Sequence, residues 1–554
     1  MTSSRHFAKW FIPLLLVITF VVALVAVSAT LTTAKAEETT KTIRIGHITD
    51  THIYPESMCN MYSPAFQSTL KTTTKLLVES EETIKITLNK IYEMDTPPQY
   101  MVVTGDLTSD GEVRGHKRLA EIFSEFTAKM RSKPGYENFQ ILVAPGNHDN
   151  YNNSANSYMP SEEELLACGS AAERIALIDS YKNGKTVPSA TYEDFFEIYG
   201  AFGYDEVKMA NSKVSVEYFF DSDQWYDNDG ITKKTPPQSV IDAYEASEHD
   251  LSIYAPYSRH GALSYIARFD DVTMVVFDGN GHEYIGEEAN PAANTQGWEE
   301  TTGGYIHERQ LVWAINSVKQ DVADGKLVIA VGHENFLPHF AYEDQVLSLF
   351  TYDNWVDTVT ALAGAGIHYG FSGHMHASDV ATHLTQNGDV FYDFETGAPV
   401  SFGSPYRYVD FTTTKKGDVF TQDMYSTVVT VNVPINYNAF EITDDGDVII
   451  EDGKIKKTSY VTKIDGETVG LADYLRTSVE NMLANIVGGI VNEGLYDRIA
   501  GIGAGGSMGD LMNALGGQLG NLDLHKPTFG ADGTITVSEE PVEGYSLTAT
   551  PAAP

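Results

Sequence analysis

Five short segments of the sequence place metal-type ligands directly after a run of apolar residues. Each segment ends in a turn that contains glycine or polar residues. The segments are Ile48-Thr49-Asp50-Thr51-His52, Val103-Thr104-Gly105-Asp106, Ala144-Pro145-Gly146-Asn147-His148-Asp149, Val331-Gly332-His333-Glu334 and Ser372-Gly373-His374-Met375-His376. Carboxylate, imidazole and amide oxygen ligands together suit borderline divalent ions such as Mn, Fe and Zn. The segments therefore predict a metal site, provided that the fold brings them together.

The same residue types indicate phosphoryl chemistry. A pair of ions about 3.5–4 Å apart needs a ligand that bridges them, and a carboxylate has two oxygens with which to do so. Such ions activate a water molecule and polarise the phosphoryl oxygens during in-line attack. A histidine that lies near the ions without binding them could protonate the leaving oxygen.

The elements that must position these residues alternate between strand and helix. Apolar runs predict strands at 43–48, 100–104, 139–143, 263–268, 272–278, 327–331 and 367–371. A helical face is predicted by the spacing of Phe66, Leu70, Leu77, Ile84, Leu88 and Ile91. Ligand sites in α/β sheets lie at the carboxyl ends of strands, which is where the ligand-bearing turns follow.

The ordered set of segments resembles the calcineurin-like metallophosphoesterase family, whose pattern is D-x-H, G-D, G-N-H-[DE], G-H and G-H-x-H. The five motifs occur in that order within residues 43–376. The resemblance implies an α/β fold, a metallophosphoesterase sandwich of two mixed β-sheets flanked by helices. The strand and helix pattern after residue 405 predicts a C-terminal extension that is β-rich and then helical.

The resemblance also implies a ligand set for two divalent ions, with Mn, Fe and Zn left open. It assigns the first ion to Asp50, His52 and His376, and the second to Asn147, His333 and His374. Asp106 is expected to bridge the ions.

Further roles follow from the same resemblance. His148 is expected to contact the phosphate and protonate the leaving group, and Asp149 to orient His148 through a hydrogen bond. Purple acid phosphatases carry a ferric-ligand tyrosine three residues after the Gly-Asp aspartate. Ser109 occupies that position here, so a ferric–tyrosinate centre is not expected.

The first 36 residues are typical of a secretory signal peptide. Arg5 and Lys9 precede an apolar run over 11–29, and Ala34-Lys35-Ala36 offers a cleavage site. An uncleaved anchor is the alternative, because the run is close to the roughly 20 residues that span a bilayer. We expect a secreted or cell-surface protein without stable membrane insertion after signal removal.

Charge and cysteine content exclude several classes of function. Among 554 residues, 76 acidic and 37 basic side chains give a net charge of −39. This charge argues against duplex nucleic acid or an anionic membrane as the main partner. The two cysteines, Cys59 and Cys168, exclude a disulfide scaffold and a cysteine-rich zinc site. Whether they pair with each other is left open, as is the oligomeric state.

The positions of the motifs predict three parts of the chain. Residues 1–36 form the signal peptide, 43–404 the catalytic domain, and 405–554 the extension. The catalytic domain contains a polar insertion over 150–260, which could cover the site. A glycine-rich stretch over 501–506 matches G-x-G-x-x-G, but helix-like sequence precedes it, which favours a flexible turn over a nucleotide site.

The predicted function is hydrolysis of a small phosphate ester outside the cytoplasm, with a preference for phosphodiesters. The sequence resembles cyclic-nucleotide and sphingomyelinase-like phosphodiesterases at Gly105-Asp106-Leu107-Thr108 and Gly146-Asn147-His148-Asp149. One alternative is a phosphomonoesterase that scavenges phosphate. Another is a cell-surface binding protein with an idle site and residues 405–554 as its active part. The complete ligand set favours an enzyme.

Overall fold

Two β-sheets carry the five ligand-bearing turns in the computed structural model of the chain. The structure describes residues 38–211, 213–219, 261–284, 291–295, 297–401, 403–416 and 419–476, residues 239 and 246, and short strands at 527–529, 535–537 and 546–547. The predicted signal peptide, the helical part of the extension after 476 and the glycine-rich stretch over 501–506 lie outside the described residues.

The chain divides into two compact units. One consists of Met1–Ile43 and Phe411–Met424, and the other of Arg44–Asp410 and Tyr425–Pro554. In the first unit, the hydroxyl oxygens of Thr42 and Thr412 lie 3.0 Å apart. The second unit contains all five ligand-bearing turns.

The strands are numbered in chain order. They are β1 (Glu38–Ile48), β2 (Tyr100–Thr104), β3 (Gln140–Ala144), β4 (Asn156–Ser157), β5 (Lys185–Thr186), β6 (Ser215–Tyr218), β7 (Tyr265–Arg268), β8 (Val272–Val276), β9 (Asn280–Tyr284), β10 (Trp298–Gly304), β11 (Leu327–Val331), β12 (Tyr369–Ser372), β13 (Asp379–Leu384), β14 (Val390–Glu395), β15 (Pro405–Lys416), β16 (Val419–Thr430), β17 (Asn436–Phe440), β18 (Ile450–Glu451), β19 (Lys454–Ile455), β20 (Lys457–Val461), β21 (Lys463–Ile464), β22 (Glu467–Thr468), β23 (Pro527–Phe529), β24 (Ile535–Val537) and β25 (Ser546–Leu547).

The helices are numbered in the same way. They are α1 (Pro64–Thr72), α2 (Ser80–Glu93), α3 (Val113–Arg131), α4 (Glu162–Ala167), α5 (Ala171–Tyr181), α6 (Tyr192–Ile198), α7 (Glu206–Met209), α8 (Glu308–Ala323), α9 (Glu343–Val346) and α10 (Trp355–Gly364). Short 3₁₀ helices cover Glu56–Met58, Gly200–Phe202 and Ser348–Phe350. Among the described residues, no helix is both long enough and apolar enough to cross a membrane.

The two large sheets hold the parallel strands that end at the ligands. One has the order β25-β16-β15-β1-β2-β3, and the other β13-β14-β12-β11-β8-β7-β6. β1, β2 and β3 pair in parallel, as do β8, β11, β12 and β14, whereas β6, β7 and β13 pair antiparallel. The predicted α/β class with two mixed sheets and a β-rich C-terminal region is confirmed.

Burial explains why the central strands are continuous apolar runs. Every residue of β2, β3, β8 and β11 is buried, as expected for parallel strands covered on both faces. On one face of the second sheet, Leu311 and Val318 of α8 and Leu362 of α10 join a core cluster with Val275 and Val328.

The single helical face predicted over 66–91 is wrong, because two helices share it. The side chain of Ser63 caps α1 by accepting from the Phe66 amide, and α1 ends where Thr73 is extended. In the turn before α2, the Leu76 amide donates to the Val400 carbonyl oxygen (2.9 Å). This bond to a distant segment replaces the helical bond that the apolar spacing suggests.

Three carboxylates surround the buried imidazole of His339. Asp379 and Glu395 lie 3.4 and 3.5 Å from Nδ1, and Asp393 lies 3.4 Å from Nε2. Burial acts to lower the pKa of His339, but Glu395 and the other carboxylates outweigh it and raise the pKa well above its usual value. The contacts with Asp379 and Asp393 therefore favour the imidazolium form of His339.

We predict that His339→Gln destabilises the protein by about 3 kcal/mol near pH 6, because it leaves buried carboxylates without a counter-charge. Since the pKa is raised in the folded state, the stabilisation is complete below about pH 6.5 and disappears as the pH rises through the raised value. Unfolding free energies from urea titration should therefore differ less between wild type and variant at alkaline pH. His383→Gln on β13 is the control, since its ring contacts Trp355. An equal loss at both pH values would contradict the imidazolium.

Candidate metal centre and active site

Most of the predicted ligands occupy an unusual backbone conformation. Asp50, His52, Asp106, His374 and His376 have φ values of 48°, 37°, 49°, 68° and 57°. Residues other than glycine seldom adopt a left-handed conformation, and holding them there costs free energy that the surroundings must offset. Strained residues cluster at functional sites, so their concentration at these turns is itself a signal of function.

Backbone hydrogen bonds between the turns hold this geometry. The amides of Asp50 and His52 each donate to the second turn, to the carbonyl oxygens of Gly105 and Asp106, at 2.9 Å. The His374 amide donates to Oδ2 of Asp50 (3.0 Å), and the Gly373 amide to the carbonyl of His333 (2.8 Å). These hydrogen bonds fix the strand ends to one another.

Glycines in the motifs allow the turns to approach closely. Gly105 has a φ of 86°, and a Cβ atom there would lie 2.6 Å from Nδ1 of His333 and 2.7 Å from the Gly146 backbone. A Cβ atom on Gly146 would lie 2.1 Å from the Asp106 amide nitrogen. Neither position can accept a side chain without moving the ligands.

The first ligand group contains Asp50, His52, Asp106 and His376, whose donor atoms all lie within 4.8 Å of one another. The Nε2 atoms of His52 and His376 are 3.0 Å apart. Oδ1 of Asp50 is 3.2 Å from Nε2 of His376 but accepts no well-directed hydrogen bond in the described part of the chain. A buried carboxylate oxygen and two converging imidazole nitrogens form a donor set that suits a divalent cation.

The second ligand group contains Asp106, His333 and His374. Nε2 of His333 lies 3.2 Å from Oδ1 of Asp106 and 3.1 Å from Oδ1 of Asn147. The predicted amide ligand Asn147 therefore joins this group. Asp106 belongs to both groups, as a bridging carboxylate must.

Hydrogen bonds on the far side of the imidazoles orient them. Because a carbonyl oxygen only accepts, the bond to Thr104 (2.7 Å) makes Nδ1 of His333 the donor, and the bond to Leu349 (3.1 Å) makes Nε2 of His374 the donor. Nδ1 of His52 likewise lies 3.2 Å from the Thr108 carbonyl oxygen. The opposite ring nitrogens of these histidines are left for the site, an arrangement typical of metal ligands.

The electrostatics of the site favour positive charge beside Asp106. Burial acts to raise the pKa of Asp106, but His333 and His148 outweigh it and hold the pKa well below the usual range. Burial likewise opposes protonation of His333, yet Asp106 raises its pKa to about 10. A divalent cation would supply the positive charge that the carboxylate attracts here, so the residues fit the metal that the sequence predicts.

The predicted bond between Asp149 and His148 is not present. Oδ1 of Asp149 accepts from the Leu107 amide (2.7 Å) and Oδ2 from the Gly146 amide (2.7 Å). The fully buried Asp149 carboxylate thus joins the second and third turns, and burial and the charge of Asp106 raise its pKa to about 7.

Asp110, which the sequence analysis missed, lies beside His148 instead. Its Oδ1 is 3.2 Å from Nδ1 of His148, and the Oγ of Ser109 donates to its Oδ2 (3.3 Å). The sequence feature that could have indicated Asp110 is a second acidic residue four positions after Asp106, in the same turn.

A second residue that the sequence did not indicate is Lys75, whose Nζ lies 3.1 Å from Nδ1 of His52.

We predict that the protein binds two divalent ions per chain and that Asp106→Asn greatly weakens the binding of both, because both groups use this carboxylate. Metal content after chelation and reloading with Mn or Zn, measured by mass spectrometry, tests this. Circular dichroism checks that the variant remains folded. The exposed Asp95→Asn is the matched control. A folded Asp106→Asn variant that keeps both ions would contradict the shared ligand.

Comparison with known proteins gives one family match, which includes Asp50, His52, Asp106 and Asn147. Residues 43–284 match the family model described as calcineurin-like phosphoesterase. No curated protein matches the chain. One similar solved structure is that of phosphopantetheinyl hydrolase from Mycobacterium tuberculosis, with 11% identity, a TM-score of 0.23, and coverage of 66% of this chain and 92% of that one. The family predicted from the sequence is confirmed over residues 43–284, which contain the first three of the five segments: these residues form a calcineurin-like phosphoesterase domain, and the match supports a phosphoester hydrolase.

Proposed function

We propose that the domain hydrolyses phosphodiesters with the help of two divalent cations held by the two ligand groups. The observation that carries this proposal is the position of Asp106, which is shared by both groups. Asp50, His52 and His376 complete the first group, and Asn147, His333 and His374 the second. Mn, Fe and Zn all suit these donors.

When bound, such cations activate water and neutralise charge on the phosphoryl oxygens. In the reaction, the water releases a proton to solvent and its oxygen joins phosphorus while the bond to the ester oxygen breaks, and the leaving oxygen takes up a proton. His148 is placed to give that proton. Its side chain is 30% exposed, whereas those of Asp50 and His52 are fully buried, and its Nε2 lies 3.9 Å from Oδ2 of Asp106.

Asp110 is proposed to be the positioning residue for His148. When His148 donates from Nδ1 to Oδ1 of Asp110, its Nε2 is directed away from that carboxylate and toward the ligand groups. The His148 amide also donates to Oδ1 of Asp106 (2.9 Å), which fixes the backbone of the proton donor relative to the shared ligand. Asp149 supports the turn and has no direct part in this step.

The preference for diesters is supported by the charge around the site. Asp50, Asp106 and Asp110 place three carboxylates within or beside the ligand groups. A phosphate monoester carries close to two negative charges at neutral pH, whereas a diester carries one. Since the cations offset the charge of Asp50 and Asp106, it is the Asp110 carboxylate beside His148 that disfavours the monoester more strongly.

We further propose that the protein acts outside the cytoplasm. The support is the order of basic residues, apolar run and alanine motif within residues 1–36. Both cysteines are free in the structure, and Cys59 is buried.

Two substrates with different leaving groups test the reaction. We predict that the chelated protein, reloaded with Mn or Zn, hydrolyses bis-p-nitrophenyl phosphate faster than p-nitrophenyl phosphate. His148→Gln should lower kcat about 10²–10⁴-fold on an alkyl diester such as a cyclic nucleotide. The loss should be smaller on the nitrophenyl ester, whose leaving group needs little protonation. Activity on the monoester alone would instead favour a phosphatase.

Asp110→Asn separates positioning from proton donation. It should reduce kcat on the alkyl diester less than His148→Gln does, and it should alter the pH profile without changing metal content. Ser109→Ala is a control in the same turn. If a folded, metal-loaded wild-type protein hydrolyses no ester, the proposed function is wrong and a binding role at the cell surface gains support.

For localisation, we predict that the protein recovered from the culture medium begins near residue 37. N-terminal sequencing of that protein measures the cleavage site directly. Recovery of an exported chain that still starts at Met1 would contradict cleavage and favour the anchor.

A further inference from the structure

Ser401 lies in the segment that joins β14 to β15, and its side chain is fully buried. Its amide donates to the carbonyl oxygen of Ala398 (3.1 Å), and its own carbonyl oxygen accepts from the amide of Ser404 (3.0 Å). Because these bonds join backbone atoms, they fix the position of Ser401 whatever its side chain. The hydroxyl oxygen that they place there lies 3.1 Å from Nδ1 of His376.

Two further hydrogen bonds anchor this segment to distant parts of the chain. The carbonyl oxygen of Val400 accepts from the amide of Leu76 (2.9 Å), in the turn between α1 and α2. The carbonyl oxygen of Ser404 accepts from the amide of Val431 (3.0 Å), directly after β16. Both partners belong to the compact unit that contains the ligand-bearing turns. The segment therefore holds Ser401 at a defined place beside the first ligand group.

The imidazole of His376 lies between the ligand group and this hydroxyl. Its Nε2 is 3.0 Å from Nε2 of His52 and 3.2 Å from Oδ1 of Asp50, so Nε2 faces the other ligands. When Nε2 of an imidazole ligates a cation, Nδ1 carries the proton. Nδ1 of His376 then donates to Oγ of Ser401, since a hydroxyl oxygen can accept. This bond fixes both the tautomer and the orientation of the ring.

Among the four histidines of the ligand groups, His376 differs in the kind of acceptor that its outer ring nitrogen faces. The other three face carbonyl oxygens of the backbone, which are those of Thr108 for His52, Thr104 for His333 and Leu349 for His374. A carbonyl oxygen stays in place whatever side chain its residue carries. The acceptor for His376 belongs to a side chain, so a single substitution can remove it and leave the backbone unchanged.

We propose that Ser401 is a positioning residue for the cation of the first ligand group and that it acts through His376. The inference rests on the cation site of the proposed function and does not depend on the reaction. An acceptor behind a ligating imidazole holds the ring and raises its basicity, and loss of such a partner typically costs about 10–100-fold in metal affinity. Ser401 lies outside the five motifs and beyond the family match over residues 43–284, so neither assigns it a role.

Variants that keep only one complete ligand group isolate this effect. His374→Ala leaves the first group complete, and His376→Ala leaves the second group complete. With Mn as the probe, calorimetry gives the dissociation constant of the remaining ion in each background without any need for turnover. We expect Ser401→Ala to weaken Mn binding about 10–100-fold in the His374→Ala background and to leave it unchanged in the His376→Ala background.

A control and a spectroscopic measurement accompany these variants. Ser124→Ala in α3 removes a hydroxyl that donates to the carbonyl oxygen of Ala120 (2.7 Å), and it should leave Mn binding unchanged in both backgrounds. In the Zn-loaded wild type, the Nδ1 proton of His376 should give a slowly exchanging imidazole resonance in proton NMR, identified by its loss in His376→Ala. Ser401→Ala should shift or broaden this resonance and leave that of His333 in place.

The outcomes separate this inference from the proposed function. An unchanged Mn affinity in the His374→Ala background would overturn the role of Ser401. An equal loss in both backgrounds would show that Ser401 only supports the fold, which also overturns it. If Ser401→Ala does not fold, the wild type decides, because an Nδ1 proton of His376 that exchanges as fast as that of an exposed imidazole would contradict the bond. If the wild type hydrolyses no ester but the effect of Ser401 on Mn binding depends on His376, the positioning role stands and the proposed reaction fails.

Discussion

The Asp106 carboxylate is the feature on which the rest of the site depends. Its two oxygens face different ligand groups, Oδ1 toward His333 at 3.2 Å and Oδ2 toward His52 at 3.5 Å. An ionised carboxylate that is almost fully buried must be compensated by positive charge or hydrogen bonds. The imidazoles and the His148 amide compensate this carboxylate, and Gly146 lets the third turn approach it closely. The turns of several strands must therefore meet around it.

The convergence of the candidate ligands could be predicted because each follows a strand whose burial is evident in the sequence. The apolar runs at 100–104 and 327–331 coincide with β2 and β11, and the residues that follow them reach the site.

The Asp-Gly pairs at 452–453 and 465–466 form the two-residue turns of hairpins, with positive φ at both positions. In these places local residue preference and tertiary structure agree.

Asp110 and Lys75 could not be predicted because their positions depend on contacts between distant segments. Asp149 follows His148 directly in the sequence, which suggests a hydrogen bond between the two side chains. Backbone amides of the second turn donate to the Asp149 carboxylate instead. The apolar spacing continues through residues 73–79, and only the bond from Leu76 to Val400 shows that the helix stops there. The spacing of apolar residues along a chain predicts whether a segment is a helix or a strand. Which partner each polar group binds depends on the residues that lie beside it in the folded structure.

Backbone hydrogen bonds between the turns hold the shape of the site. Strained turns persist only where surrounding bonds over-determine them, and here amides of one turn donate to the carbonyls of the next at 2.9 Å. These bonds stabilise the positions of the ligands in addition to anything that a bound cation contributes. Because they join backbone atoms, a substitution of one ligand side chain leaves them in place, which makes the separate roles of Asp106 and His148 experimentally distinguishable.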